Sequence, residues 1–282
     1  MKCKIKIHKI LIICASLIFI LTSCITSTNS LIDPKYKLTI HYINVGQGDS
    51  ILIQINNKNM LIDAGTKSAS VSSYLKKHKV TKLDYIIATH PHEDHIGGMS
   101  SIINNFSIDN FYAPKATSNS LSFRNMLSAL NKKNIKITPA KSGQNIDLAK
   151  DVKCFIVAPN NTYYDNINNY SIVIKLIYKN TSFLFTGDAE SHSEEEIFKN
   201  GFDIKSDVLK LGHHGSNSST SNKFLDEISP KVAIVSCGKG NDYDHPHKET
   251  LNKLKNKKIL LYRTDLDGTI VLQSDGTKIT RR

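Results

Sequence analysis

Apolar residues in this 282-residue chain fall into short runs, some alternating with polar positions and some continuous, with helix-periodic stretches between them. LTIHYINVGQGDSILIQIN (38–56) reads as two strands around a glycine-rich turn, and NMLIDAG (59–65) as a third strand ending at Asp63 and Gly65. SVSSYLKKHKV (70–80) is a helix candidate, and LDYIIATH (83–90) is a buried strand. Helices are predicted at 97–104 and 121–133. The runs VKCFIVAP, SIVIKLIY and TSFLFTGD (152–188), β-branched and aromatic, predict strands. SEEEIFKNG is a short helix closed by glycine. DVLKLG, VAIVSCG, ILLY and GTIVLQS complete the strands, with SNKFLDEIS and HKETLNKLKNKK as helices between them. No repeat, low-complexity tract or long linker interrupts residues 38–282, which therefore read as one layered α/β or α+β domain.

The first residues follow another pattern. MKCKIKIHK carries four lysines and no acid, ILIICASLIFIL (10–21) is twelve apolar or small residues, and LTSC follows. That order is the layout of a secretory signal. As a membrane-spanning helix the run is short, since about 20 apolar residues are needed; an uncleaved N-terminal anchor is the alternative. LTSC resembles a bacterial lipobox. Residues 1–23 are then a lipoprotein signal peptide, and 24–37 comprise a lipidated Cys24 and a polar tether. The body is expected outside the cytoplasm, held to the cell membrane through Cys24.

Cys3 and Cys14 leave with the signal, so Cys154 and Cys237 remain in the body. Neither has a CxxC partner, which excludes a zinc ribbon or a CxxC redox motif. Both sit in apolar runs and read as small core residues, with a disulfide between them as the other possibility. Net charge is +12, or +8 for residues 24–282 once the four signal lysines are set aside. A basic body suits an anionic partner such as nucleic acid, teichoic acid or lipid headgroups, and no obligate protein partner is indicated. The densest basic run, KETLNKLKNKK (248–258), has leucines at helical spacing and reads as a solvated helix face.

Candidate chemistry concentrates in ATHPHEDHIGG (88–98), where three histidines and two carboxylates occupy six positions just past a strand. His90 and His92, two apart on a turn, can reach one ion; Asp94 and His95 can address a second about 3.5–4 Å away, as in two-metal hydrolases. Imidazole and carboxylate together suit zinc, manganese or iron. Asp63, His90, Asp188 and His213 each lie at or just beyond the C-terminal end of a strand-like run, where separate segments aim side chains into one cavity. No GxSxG or activated cysteine competes.

HPHEDH resembles the HxHxDH motif of the metallo-β-lactamase superfamily, with LIDAG upstream and TGD downstream similar to its other acidic positions. More narrowly, INVGQGDSILI, ATHPHEDHIGG, NNYSIVI, LFTGDAE, DVLKLGHHGS, DHP and RTDLDGTI resemble in order the extracytoplasmic metallo-β-lactamase domain of ComEC/Rec2 competence proteins, from Leu38 to Leu272. The resemblance implies an αββα sandwich of two mixed sheets flanked by helices, binding two divalent ions, zinc or manganese. It implies that His90 and His92 hold the first metal, Asp94 and His95 the second, and that Asp188 bridges them. Asp63 would orient ligands from behind, and Gly46 and Gly48 would shape the turn that brings Asp49 to the site floor. Of the GHHGS pair, His214 is favoured as ligand, with His213 facing substrate. His245 is a candidate for binding substrate or protonating the leaving group, while His247 reads as solvated at a helix start. Many members supply a further histidine to the first metal, but residues 96–187 contain none, and Asn168 of NNYSIVI stands in that region. An amide is a poorer ligand, so the first site is expected to be weak, exchangeable or suited to manganese.

The leading expectation is a surface-anchored hydrolase that uses a metal-bound hydroxide, oriented by Asp94, on phosphodiesters, DNA above all. A cell-wall or lipid esterase of the phosphorylcholine type is the second reading, with Tyr163 and Tyr164 as a candidate cage; a β-lactam or lactone ring-opener fits the missing histidine poorly. A non-catalytic DNA-binding module on the same fold is the reading from another class.

Overall fold

In the computed structural model, which describes residues 37–282, two mixed sheets stack face to face with helices on both outer sides. The first sheet opens with an antiparallel run, β1 (Leu38–Tyr42), β2 (Ile51–Ile55) and β3 (Lys58–Ile62). It continues with parallel β4 (Lys82–Ile87), β5 (Ser107–Ala113) and β6 (Ile137–Pro139). The second sheet holds β7 (Val152–Ala158), β8 (Val173–Tyr178), β9 (Thr181–Phe185), β10 (Val208–Lys210), β11 (Val232–Val235) and β12 (Leu260–Arg263). The chain then returns to the first sheet as β13 (Ile270–Ser274) against β1 and β14 (Ile279–Arg281) at its edge.

Among the described residues eight α-helices join the strands: α1 (Val71–Lys77), α2 (Glu93–Ile96), α3 (Met99–Asn105), α4 (Leu121–Lys132), α5 (Ser191–Lys199), α6 (Asn222–Ile228), α7 (Lys248–Asn256) and α8 (Thr264–Asp267). Two short 3-10 turns, Ile167–Tyr170 and Gly212–Gly215, complete the list. Alternation of the strands fills three apolar layers. Ile40, Ile53, Ile174, Leu176 and Phe183 meet between the sheets. Leu52, Leu83, Ile102, Met126 and Leu130 lie between the first sheet and α1, α3 and α4. Leu184, Ile197, Leu209, Phe224 and Leu254 pack the second sheet against α5, α6 and α7. Each such side chain contributes roughly 1.5–3 kcal/mol on burial, and the layers are the αββα sandwich expected.

Three strands were not predicted. β5 is polar and exposed over its first half (Ser107, Asp109), so it lacks a continuous apolar signal, and β6 and β14 are three residues each. The helix expected at 97–104 is α3, starting after Gly97 and Gly98, and a further short helix, α2, lies inside the histidine cluster before it. Cys154 and Cys237 are buried and free, so the core reading holds and the disulfide does not. Among the described residues no helix is long and apolar enough to cross a membrane. The expected signal peptide (1–23) and lipidated Cys24 fall outside the described residues.

What matters for chemistry is direction. β3 and β4 run parallel in one sheet, and β9, β10 and β11 in the other. Asp63, His90, Asp188 and the Gly212–Gly215 turn follow the last residues of β3, β4, β9 and β10, which brings them to one end of the sandwich.

Candidate metal centre

Past β4 the chain makes one extended step and enters α2, with His92 at the helix N-cap position and Asp94 and His95 in its first turn. The carboxylate of Asp63 governs this loop. It accepts from the Thr89 backbone N–H (2.8 Å), from Thr89 Oγ1 (2.6 Å) and, at 2.8 Å, from His95 Nδ1. With Nδ1–H committed to Asp63, His95 turns Nε2 into the cavity, where a bound cation would take its lone pair. There Nε2 lies 3.3 Å from Asp188 Oδ1, 3.8 Å from Asp94 Oδ2 and 3.4 Å from His214 Nε2. Asp63 itself sits at φ +56°, a left-handed turn after β3 that aspartate tolerates better than most residues.

His214 is oriented by the same logic. Its Nδ1 lies 2.9 Å from the Ser236 carbonyl, and its Nε2 lies 3.0 Å from Asp94 Oδ2 and 3.5 Å from Asp188 Oδ2. Both histidines of GHHGS have positive φ, +46° and +53°, so the turn splays them apart. His213 is the outer one. Its Nδ1 is 3.1 Å from Glu190 Oε1 and its Nε2 is 3.9 Å from Asp188.

Asp188, at the end of β9, is the meeting point. It is buried, its N–H donates to Ser171 Oγ, and its carboxylate lies within 4 Å of His90, His95, His213 and His214. Three groups of the described residues have ligand atoms within 4.8 Å of one another: Asp49, Asp63 and His95 behind the cavity, and two that meet in it, His90, His92 and Asp188, and Asp94, His95, Asp188 and His214. Asp188 belongs to both.

The donor set fits a divalent cation. Asp188 Oδ1, Asn168 Oδ1, Asp49 Oδ1 and His245 Nδ1 are buried without a hydrogen-bond partner, an arrangement costly unless something positive or polar satisfies it. Imidazole nitrogens also face each other, His90 Nε2 to His92 Nδ1 at 2.9 Å and His95 Nε2 to His214 Nε2 at 3.4 Å. Without an ion the groups titrate against one another. Burial depresses His90 and His92. For His95 and His214 burial also opposes the charge, but the surrounding carboxylates, Asp188 first, outweigh it and raise both, His214 to about 10. Asp188 stays ionised despite its burial because His214 and His95 flank it.

The remaining expected residues fall at the floor and rim. Asp49 is buried beneath His214 (Oδ1 to Nδ1 3.6 Å), its N–H bonds the Asp94 carbonyl, and its Oδ2 pairs at 2.9 Å with the buried Lys210. Gly48 adopts φ +125°, and a Cβ there would stand 2.1 Å from the Asp94 carbonyl oxygen. Gly48→Ala is therefore expected to push Asp94 out of register and weaken metal binding at least about tenfold, the scale of losing a group that orients ligands; calorimetric titration with manganese measures it. Asn168 lies beside His213 and donates to Glu190 Oε1 at 3.1 Å. His245 sits over the opening, its ring 5.3 Å from His213, stacked on exposed Tyr243 at 5.6 Å. Burial, with His213 and His214 nearby, lowers its pKa to about 4. His247 stands at the start of α7 as expected, but it is half-buried rather than solvated, its Nδ1 accepting from Asn217 N–H at 3.0 Å and its Nε2 3.1 Å from the Tyr243 carbonyl.

Sequence reasoning missed Lys210, Glu190, Thr89 and Ser171. Lys210 had left a signal, a lone lysine inside the apolar strand DVLKLG; the other three are ordinary polar residues whose role depends on neighbours far along the chain. Tyr164 is also not a free cage wall, because its hydroxyl donates to Glu196 at 2.5 Å and only Tyr163 is exposed.

Comparison with known proteins agrees with this geometry. The sequence profile of the metallo-beta-lactamase superfamily matches residues 43–239. ComE operon protein 3 of Bacillus subtilis is 32% identical over 251 residues, covering 82% of this chain and 32% of that protein. Recombination protein 2 of Haemophilus influenzae is 29% identical over 235 residues, covering 81% of this chain and 28% of that protein. The chain thus spans less than a third of the length of either relative. Among solved structures, the metallo-beta-lactamase fold protein YhfI of Bacillus subtilis superposes with a TM-score of 0.57 at 14% identity, covering 84% of this chain and 100% of YhfI. By profile, relatives and site, the chain belongs to the metallo-beta-lactamase superfamily, as a metal-dependent hydrolase related to competence proteins.

Proposed function

We propose that this protein hydrolyses phosphodiester bonds of DNA at the outer face of the cell membrane, held there through lipid on Cys24. The observation that carries the reading is Asp188 shared between two ligand groups. Such an arrangement suits a pair of ions that clamp the attacking and leaving oxygens of a displacement at phosphorus and make bound water acidic enough to attack at neutral pH. His90 and His92 would hold one ion, Asp94, His95 and His214 the other, with Asp188 between them. Asp63 and the Ser236 carbonyl fix the tautomers of His95 and His214, so both present lone pairs inward.

The rim supplies the rest. His245, neutral at physiological pH, can donate its ring N–H to a phosphoryl oxygen rather than deliver a proton from a charged ring. His213, held by Glu190, offers a second polar contact at the opening. Exposed Lys115 and Lys141 follow the ends of β5 and β6 and line a cavity of about 210 Å³ with Tyr170, two residues beyond Asn168, where an anionic strand could lie. A choline cage would need aromatic rings that Tyr164, engaged with Glu196, does not spare.

The protein, stripped of metal and reloaded with manganese or zinc, is expected to cut single- or double-stranded DNA and bis-(p-nitrophenyl) phosphate, with an Asp94→Ala, His95→Ala variant inactive. Cleavage of the small diester alone would move the substrate to a cell-wall or lipid diester. Metal-independent DNA binding with no cleavage of either would replace the enzyme with a binding module.

A further inference from the structure

The basic charge that suggested an anionic partner is not gathered at the metal end. The N-terminal ends of β9, β10, β11 and β12 border a cleft of about 800 Å³ lined by six lysines and two aspartates. Two of the lysines are paired: Lys231 with Asp207 at 3.0 Å, and Lys257 with Asp226. Exposed Lys205, Lys258 and Lys278 lie within ion-pair distance of no carboxylate among the described residues. The metal end sets its exposed Lys67, Lys115, Lys141 and Lys239 against Glu93, Asp94, Asp188 and Glu190 and the exposed Asp242 and Asp244. The charge is polarised along the strands.

The same basic end is where the described chain begins. Leu38, the first residue of β1, pairs with Ser274 of β13 and Ile55 of β2. Ser274 leads into the β13–β14 turn that carries Lys278, and Gly276 in that turn accepts from Asn180 N–H at 2.8 Å. Asn180 and Lys179 line the basic cleft. Chain entry, turn and cleft are therefore continuous.

We propose that this lysine-bearing end docks on anionic lipid headgroups and points the metal centre away from the membrane. The proposal rests on reading Cys24 as a lipid anchor. Cys24 precedes Leu38 by fourteen residues, at most about 50 Å of chain, so a lipid on Cys24 would keep the domain near the bilayer. Orientation would come from charge, each lysine near an anionic surface strengthening the contact roughly fivefold, within a Debye length of about 8 Å. DNA is the less favoured occupant, because a strand held here lies at the far end of the sheets from the ligands that would cut it.

The test uses the full chain with phosphatidylcholine vesicles, with and without phosphatidylglycerol, and an amine-reactive, membrane-impermeant label read by mass spectrometry. Labelling of Lys205, Lys231, Lys258 and Lys278 is expected to slow at least about tenfold on phosphatidylglycerol vesicles and to recover in high salt. Lys67, Lys115 and Lys239, at the metal end, stay reactive. A Lys205→Gln, Lys258→Gln, Lys278→Gln variant should lose the protection at Lys231. Equal labelling on both vesicles overturns the proposal, as does protection by added DNA but not by phosphatidylglycerol. Failure to float with neutral vesicles would instead remove the anchor reading, and phosphatidylglycerol-dependent protection would still decide the docking face.

Discussion

Asp188→Asn is expected to lower metal-dependent cleavage by about 10³-fold or more, about 4 kcal/mol of transition-state stabilisation, and to reduce bound metal at both positions together. The substitution keeps the shape of the side chain but replaces the carboxylate common to the His90–His92 group and the Asp94–His95–His214 group with a neutral amide. The fold should survive, because the Asp188 backbone N–H keeps its bond to Ser171 Oγ and neighbouring Ala189 and Phe185 remain in the core. Metal content by mass spectrometry separates this from a purely catalytic defect: a variant that retains two ions per chain would refute the bridging role. Loss of one ion with the other retained would assign Asp188 to a single site.

Lys210→Met is expected to destabilise the protein by about 3–5 kcal/mol, the scale for removing one partner of a buried ion pair. Lys210 and Asp49 are 0% and 2% exposed, 2.9 Å apart, and Lys210 also donates to the Leu211 carbonyl at 2.8 Å. Removing the ammonium leaves a buried carboxylate that has lost its 2.9 Å partner and keeps only the longer 3.6 Å approach to His214 Nδ1, whereas methionine fills the volume. Adding Asp49→Asn should therefore recover more than half of the loss, since the stranded charge goes with it. Lys231→Met is the control: Lys231 pairs with Asp207 at 3.0 Å but its side chain is 82% exposed, so the change should stay under about 1 kcal/mol. Urea unfolding with Asp63 intact reports all four proteins. A single-variant loss no larger than that of the control would show that Lys210 has access to water in solution.

A decision hidden in the metal centre concerns which histidine of GHHGS faces inward. Adjacent identical residues look alike in a sequence, and a 3-10 turn with both at positive φ is not a pattern that periodicity reveals. The Ser236 carbonyl, on the loop after β11, selects His214, while Glu190 at the start of α5 draws His213 outward. Both selectors are more than twenty residues away. Asn168 shows the same limit from the other side: its place beside the histidines was legible, but its amide nitrogen is committed to Glu190, which only the folded chain reveals.

The sequence by itself determined the strand-rich α/β class, the order of nearly all long elements, and the identity of the metal-type residues, because hydrophobic period and clustered imidazole and carboxylate are local signals. It also placed those residues at strand ends, since each follows an apolar run. Only the tertiary structure decided that four strand ends converge on Asp188, that Lys210 supports the site floor from within the core, and that the exposed lysines lie mostly at the opposite end of the strands. Those outcomes depend on strand direction and pairing between segments up to 236 residues apart, as with Leu38 and Ser274. Pairing at that range is set by packing of whole layers, which no stretch of the chain carries alone.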